Sequence, residues 1–492
     1  MLNEIDLKGA PSGIRAYDLL WKPDPLSLKH AFVDEFRERI NLKYRSDLQN
    51  YEDLYQWSVD QLEAFWSETW DYLDPIVSRH HDKVLTAAPM EEVPEWFQGC
   101  QLNFAENLLR FRDDRPAIIS IVEGQIEGVK LTFAQLYQQV TQIASALKAV
   151  GIKKGDHVAG YLPNCSDTVA IMLGVAAVGA VWCCTSPDFG VTGTVDRLVS
   201  VAPKVLFTVE AVRYNQKVHD NLLNVEKVSK MMKFDVIVVV PFLRPEAEIN
   251  IKNIPKSLFM KDFLGSHMQQ TTLEFEQVPF NHPVYVLFSS GTTGRPKCLV
   301  HSVGGTLIQH LKELKMHFNL TRKDLLMFYT TAAWMMWHWE VSALALGCPI
   351  VCYDGSSFSP KETIVWDIVD HHKVTVLGLS AKMVSMMEDK GIHPRETHDL
   401  ISLRAILTTG SPLSPHSYDF VYAKVKSHVM LSSITGGSDI ISLFGAGCPT
   451  LPVYRGLIQC RGLGMAVECF DEQGNPVRDQ PGELVCTKPF PS

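Results

Sequence analysis

The sequence lacks a basic excess, a membrane-length apolar run and any paired cysteine motif. Lys and Arg number 46 against 55 Asp and Glu, a formal net charge of −9. Nucleic acids and anionic membranes both reward a surplus of cations, so neither is expected as the main partner. A polyanion such as a nucleotide would have to be held by local charge. The longest nearly unbroken apolar stretch, Val169 to Cys184, falls short of the roughly 20 residues a bilayer span needs. It reads as a buried helix running into a buried strand. The opening Met1-Leu2-Asn3-Glu4-Ile5-Asp6 has neither a basic region nor an apolar core, so no secretory signal is expected and the location should be the cytosol. The 11 cysteines are scattered, with none spaced as C-x-x-C. Reduced, buried thiols are expected in preference to a disulfide framework or a zinc site.

What remains is ordinary globular composition, 46% hydrophobic and 21% charged over 492 residues. That allows a large core and about three domain-sized units. The first 110 residues are polar and aromatic. There, Ser58-Val59-Asp60-Gln61 reads as a capping box, with Leu62, Phe65, Trp66 and Thr69 following on one helical face. From Ala117 onward short β-type runs alternate with helical stretches. The strands are expected at 118–122, 157–162, 204–209, 235–240, 284–288, 375–379 and 404–408. Thr132 to Gln135 is a second capping box, and Phe133, Leu136, Val140, Ile143 and Leu147 follow at helical spacing. This is an α/β pattern of parallel or mixed sheets covered by helices. Gly456 to Lys488 reads instead as a small antiparallel β subdomain.

One segment carries chemistry. The run Val284 to Phe288 leads into Ser289-Ser290-Gly291-Thr292-Thr293-Gly294-Arg295-Pro296-Lys297. Glycines let backbone N–H groups converge on an anion, hydroxyls add donors, and Arg295 and Lys297 add charge. The loop suits a polyphosphate. It is not a Walker A loop, because no Gly-Lys-Ser/Thr follows at the required spacing. Lys297 to His301 reads as a strand, so the loop should join two strands.

Ser289 to Lys297 resembles the phosphate signature of the adenylate-forming enzymes: acyl-CoA synthetases, luciferases and peptide-synthetase adenylation domains. Other segments resemble the family's motifs in order: Leu162-Pro163-Asn164, Ser186-Pro187-Asp188-Phe189, Thr409-Gly410-Ser411-Pro412-Leu413, Gly436-Gly437-Ser438-Asp439 and Gly482-Glu483-Leu484. Pro94 to Phe97, Leu102 to Asn107 and Thr185 to Gly190 are similar to the acetyl-CoA synthetase branch. Trp334-Met335-Met336-Trp337, Tyr353 to Ser356 and Gly436 to Ser442 are similar to its acetoacetate-activating members.

The resemblance implies a large adenylate-forming domain with stacked α/β sheets over 111–492, preceded by a helical extension over 1–110. The family's C-terminal lid, with its lysine, is not expected within these residues. The implied activity joins a carboxylate to ATP as an acyl-adenylate and then transfers the acyl group to CoA. By carry-over, the Ser289–Lys297 loop would hold the β- and γ-phosphates. Gly410, Ser411 and Pro412 would flank the adenine, Thr435 to Ser438 would complete the nucleotide site, and Ser438 would bond the α-phosphate. Asp439 would ligate Mg²⁺, where the family usually has Glu. Thr292, Lys297, Ser438 and Asp439 are the implied catalytic groups. Trp334, Met335, Met336, Thr409 and Gly436 would line the acyl pocket. Gly436 stands where acetate-specific relatives have Trp, which implies room for acetoacetate. Two other readings stay open: a ligase for another short-chain carboxylate, and a protein that binds nucleotide and acyl group without turnover.

Overall fold

The structure, a computed structural model, describes residues 18–28, 30–289, 294 and 296–492, apart from the side chains of Leu26, Ser27 and Glu91. The Met1–Asp6 segment lies outside the described residues.

Two seven-stranded sheets dominate. Their strands in chain order are β1 (Pro116–Val122), β2 (Val129–Thr132), β3 (His157–Tyr161), β4 (Val181–Thr185), β5 (Val205–Val209), β6 (Val236–Val240), β7 (Ser257–Phe259), β8 (Pro283–Ser289), β9 (Lys297–Ser302), β10 (Leu326–Phe328), β11 (Ile350–Asp354), β12 (Val376–Ser380), β13 (Ala405–Thr409) and β14 (Met430–Ser433). The first sheet has the order β7-β6-β5-β3-β4-β8-β9 and the second β14-β13-β12-β10-β11-β1-β2. In each, six parallel strands are closed at one edge by an antiparallel one, β9 in the first and β2 in the second. Runs such as Val236-Ile237-Val238-Val239-Val240 are apolar throughout because parallel strands are covered on both faces. The expected strands are all present, within one or two residues.

Helices connect the strands. Thr132 caps the helix Phe133–Ala149 in a capping box, as its sequence predicts. Helix Ser166–Ala177 packs against β1 of one sheet and β4 of the other. It therefore buries nearly all its faces, which explains why its sequence is apolar all round. It runs on to β4, so the Val169–Cys184 stretch is helix and strand, both buried. Among the described residues no helix is long and apolar enough to cross a membrane. Seven cysteines are buried and only Cys298 is exposed.

The N-terminal part corrects one expectation. Ser58 caps nothing: it lies inside the helix Tyr51–Asp60, which Asn50 caps through Asp53 N. The next helix, Leu62–Leu73, starts after Gln61 with no side-chain cap. The Ser58 hydroxyl instead accepts from Gly464 N at 2.9 Å. Tyr51 and Tyr55 hydroxyls donate to Arg461 O (2.6 Å) and Met465 O (2.9 Å). Tertiary contacts to a distant segment have taken a side chain that local rules assign to a cap. Phe65, Trp66 and Thr69 are buried, as their helical spacing predicts.

Beyond β14 the chain turns antiparallel. Thr435–Gly437 (β15) pairs with Ser442–Ala446 (β16), which pairs with Cys460–Arg461 (β17). Val467–Phe470 pairs with Glu483–Cys486. The antiparallel part thus begins some twenty residues before the expected Gly456.

Candidate active site

A cleft of about 400 Å³ opens at the carboxyl ends of β10, β13 and β14. Ligands of open parallel sheets collect at strand ends of this kind. Three separate segments meet there. Trp334, Met335 and Met336 follow β10 and enter the helix Met335–Val341. Thr409 to Leu413 leave β13, turning at Gly410, whose φ of +87° suits glycine. Ser433 to Ser438 leave β14 through β15. Leu443, Tyr418, Gly456 and Ile458 complete the wall. None of the described lining residues carries a charge.

The cleft therefore brings together Trp334, Met335, Met336, Thr409, Gly410, Ser411, Pro412, Thr435, Gly436, Gly437 and Ser438. Asp439 is exposed, one residue beyond the lining. Ser289 and Lys297 face each other across the β8–β9 hairpin, which confirms that the phosphate segment joins two strands. They and Gly294 do not line the cleft. Ser290, Gly291, Thr292, Thr293 and Arg295 lie outside the described residues. Trp337 and Trp339 belong to the core. Their indole N–H groups donate to Asn164 Oδ1 (3.0 Å) and Glu313 Oε2 (2.8 Å).

At Gly436 the fold itself adds a constraint to the pocket role that the resemblance implies. A Cβ on it would stand 2.1 Å from the backbone oxygen of Ser442, the residue before its β15–β16 ladder partner Leu443. Strand pairing itself excludes a side chain here, beyond any room needed by a ligand.

Behind this wall lies a buried polar layer that spacing rules do not reveal. His301 is the next-to-last residue of β9; its Nε2–H donates to Ser438 O at 2.7 Å. A carbonyl can only accept, which fixes the tautomer. His310 donates from Nε2 to Ile441 O (2.9 Å) and accepts at Nδ1 from the Ser342 hydroxyl (2.8 Å). Glu313 accepts from the Ser442 hydroxyl, Leu443 N (3.0 Å) and Trp339 Nε1. His317 donates from Nδ1 to Gly447 O (2.8 Å) and accepts at Nε2 from Leu463 N (3.2 Å). Burial pushes His301 down to about 4 and His310 and His317 down to about 3, so all three are neutral. Burial raises Glu313 above its usual range, partly opposed by Lys312 Nζ at 3.8 Å. Lys312 is itself lowered to about 8 by burial. Ile441 has a φ of +46°, a left-handed conformation that costs a β-branched residue about 1–3 kcal/mol.

Comparisons with known proteins agree with this geometry. Residues 104–491 match the family described as AMP-binding enzyme, and residues 51–108 match the acetyl-coenzyme A synthetase N-terminus. Acetoacetyl-CoA synthetase of Mus musculus is 50% identical over 478 residues, covering 96% of this chain and 71% of that protein. Acetoacetyl-coenzyme A synthetase of Rhizobium meliloti is 40% identical over 473 residues, covering 96% and 72%. The solved structure of acetoacetyl-CoA synthetase from Streptomyces lividans superposes with a TM-score of 0.89 at 36% identity, covering 96% of this chain and 73% of that one. The chain belongs to the AMP-binding enzyme family, within its acetoacetyl-CoA synthetase group.

Proposed function

We propose that this chain activates acetoacetate with ATP as an acyl-adenylate and passes the acyl group to CoA. The observation that carries this reading is one cleft, uncharged among its described lining residues, in which Trp334, Met335 and Met336 share a wall with Gly410 to Pro412 and Thr435 to Ser438. An acyl chain and an adenosine are both neutral and both fit such a lining. The charged phosphates then belong at the rim, near Ser438 and toward the Ser289–Lys297 hairpin.

In this mechanism the cleft fixes the carboxylate against the α-phosphorus, so that one oxygen attacks in line as the bond to pyrophosphate breaks. Trp334, Met335, Met336, Thr409 and the bare backbone at Gly436 hold the acyl part. The thioether side chains adapt to a keto group and methyl beyond the length of acetate. Gly410, Ser411, Pro412 and Thr435 hold the adenine side, and Ser438 donates to the α-phosphate. Lys297, with Thr292 and the rest of the hairpin loop, offsets the charge on the departing pyrophosphate. The thiol of CoA then attacks the acyl carbon and AMP leaves.

Asp439 suits Mg²⁺. It is an exposed oxygen donor beside Ser438, with no ion pair among the described residues. Mg²⁺ is commonly held by one or two carboxylates with phosphate oxygens and water. When bound, the ion neutralises phosphate charge.

Product analysis tests the reading. With Mg·ATP, CoA and acetoacetate, the expected products are a thioester, AMP and pyrophosphate in equal amounts. Formation of ADP and phosphate, or nucleotide turnover independent of the carboxylate, would contradict it.

A further inference from the structure

The buried layer runs in register with the turn it touches. Going along the chain, His301, His310, Glu313 and His317 meet Ser438, Ile441, Ser442–Leu443 and Gly447 in the same order. The helix Val303–Lys312 and the π-helical turn Glu313–His317 that continues it present the last three side chains toward that turn. Each of the four side chains has a complementary partner on the turn: one neutral imidazole N–H per carbonyl, and one carboxylate for a hydroxyl and an N–H. The Ile440 carbonyl is taken separately by the Ser492 hydroxyl at 2.6 Å. Ile441 keeps its left-handed backbone within this grip. Strained backbone of that kind persists only where its surroundings over-determine it.

His301 stands apart from the other three. It lies on β9, the strand that begins at Lys297 and closes the phosphate hairpin. Its one hydrogen bond crosses from that edge strand to the backbone of Ser438, which lines the cleft. The phosphate hairpin and the α-phosphate donor sit on different sheets. This contact ties them together.

We infer that His301 is a positioning residue that sets the distance between strand β9 and Ser438, with His310, Glu313 and His317 locking the rest of the turn. The inference rests on the proposed adenylation for its kinetic consequence, though the brace itself does not. A neutral N–H donor of fixed length is what the position needs. Glutamine can place an amide N–H near the position of Nε2, while phenylalanine keeps the ring and removes the donor.

Two measurements test this together. The first is hydrogen–deuterium exchange of the segment 436–446 in the unmodified chain, H301Q and H301F. Faster exchange is expected in H301F, with H301Q close to the unmodified chain. The second is acetoacetate-dependent ATP–pyrophosphate exchange. H301F should lose about tenfold in kcat, the order expected for one hydrogen bond made to a critical backbone group. The KM for acetoacetate should stay within twofold, and H301Q should recover most of the rate. Adenosine affinity and the thermal midpoint report whether H301F has simply lost its cleft. Unchanged protection of 436–446 in H301F would overturn the brace, whatever the rates show. So would equal losses in H301Q and H301F, or a parallel loss of adenosine binding. If the unmodified chain shows no pyrophosphate exchange, the adenylation reading fails while the protection experiment still decides the brace.

Discussion

The wall of the cleft and the layer behind it are made of opposite materials. The wall is uncharged, partly exposed and rich in glycine, built from segments that leave strand ends. The layer behind is histidine, glutamate and lysine, all buried, and its groups at the turn are matched to complementary partners. The contrast shows where the site's precision resides. Loop segments with few side-chain contacts cannot fix their own backbone, so the placement of Ser438 is delegated to groups that lie behind the lining. A wall residue should therefore matter for function and little for stability, and a residue of the layer for both.

Acidification should have the largest effect. His310 and His317 are held down to about 3 by burial. Between about pH 3 and 6.5 the unfolded chain binds protons on these residues that the folded chain does not. Their contribution to stability is complete above 6.5 and is lost as pH falls below it. At pH 5 this amounts to roughly 2 kcal/mol for each histidine. Buried carboxyls such as Asp354, raised to about 7, and Glu340 act in the opposite direction, so the term is read by difference. In denaturant melts the pH 7-to-5 change should differ by about 2 kcal/mol between the unmodified chain and His317→Leu, and an equal pH dependence would contradict the buried neutral layer. Next comes Glu313→Leu. It removes the counter-charge beside Lys312 and strands the Trp339 and Leu443 N–H groups and the Ser442 hydroxyl, for a cost of roughly 3–5 kcal/mol in the same melts. A loss below about 1 kcal/mol would show that the carboxylate is dispensable. His317→Leu strands only Gly447 O and Leu463 N, and about 2 kcal/mol is expected. The smallest stability effect belongs to the wall. Ser438→Ala should change stability by no more than about 0.5 kcal/mol. Yet pyrophosphate exchange should fall by about tenfold or more, because in the proposed adenylation the lost contact is made to the reacting phosphate. A large stability loss there would erase the distinction between wall and layer.

Much of the architecture could be read from residues alone, because alternation and capping are local. Most strands from Pro116 to Thr409, the capped helix after Thr132 and the β8–β9 hairpin follow from their own sequence, whereas the short strands Val129–Thr132, Ser257–Phe259, Leu326–Phe328 and Ile350–Asp354 gave no such signal. Ser58 shows the limit: its cap pattern is intact, but Gly464, more than 400 residues away, takes the hydroxyl. Gly436 was half legible. Its lack of a side chain suggested room in the pocket, while the clash with Ser442 O depends on a ladder that only the fold creates. The histidines were visible too, and His301 and His310 lack metal-ligand spacing. Their real partners are backbone carbonyls well over a hundred residues along the chain, and a carbonyl has no sequence signature. Leu413, Tyr418, Ser433, Ile434, Leu443, Gly456 and Ile458 joined the wall for the same reason. Leu413, Ser433 and Ile434 border recognised segments, but Gly456 and Ile458 reach the cleft only through the antiparallel end of the chain.

The central claim is that one cleft holds acyl group and adenylate side by side. Calorimetric titration of this chain with AMP and with unreactive acetyl- and acetoacetyl-adenylate analogues tests it directly. The account predicts that the acetoacetyl analogue binds tightest, about tenfold tighter than the acetyl one, with AMP weakest. Equal affinity for AMP and both analogues, or tightest binding of the acetyl form, would contradict it.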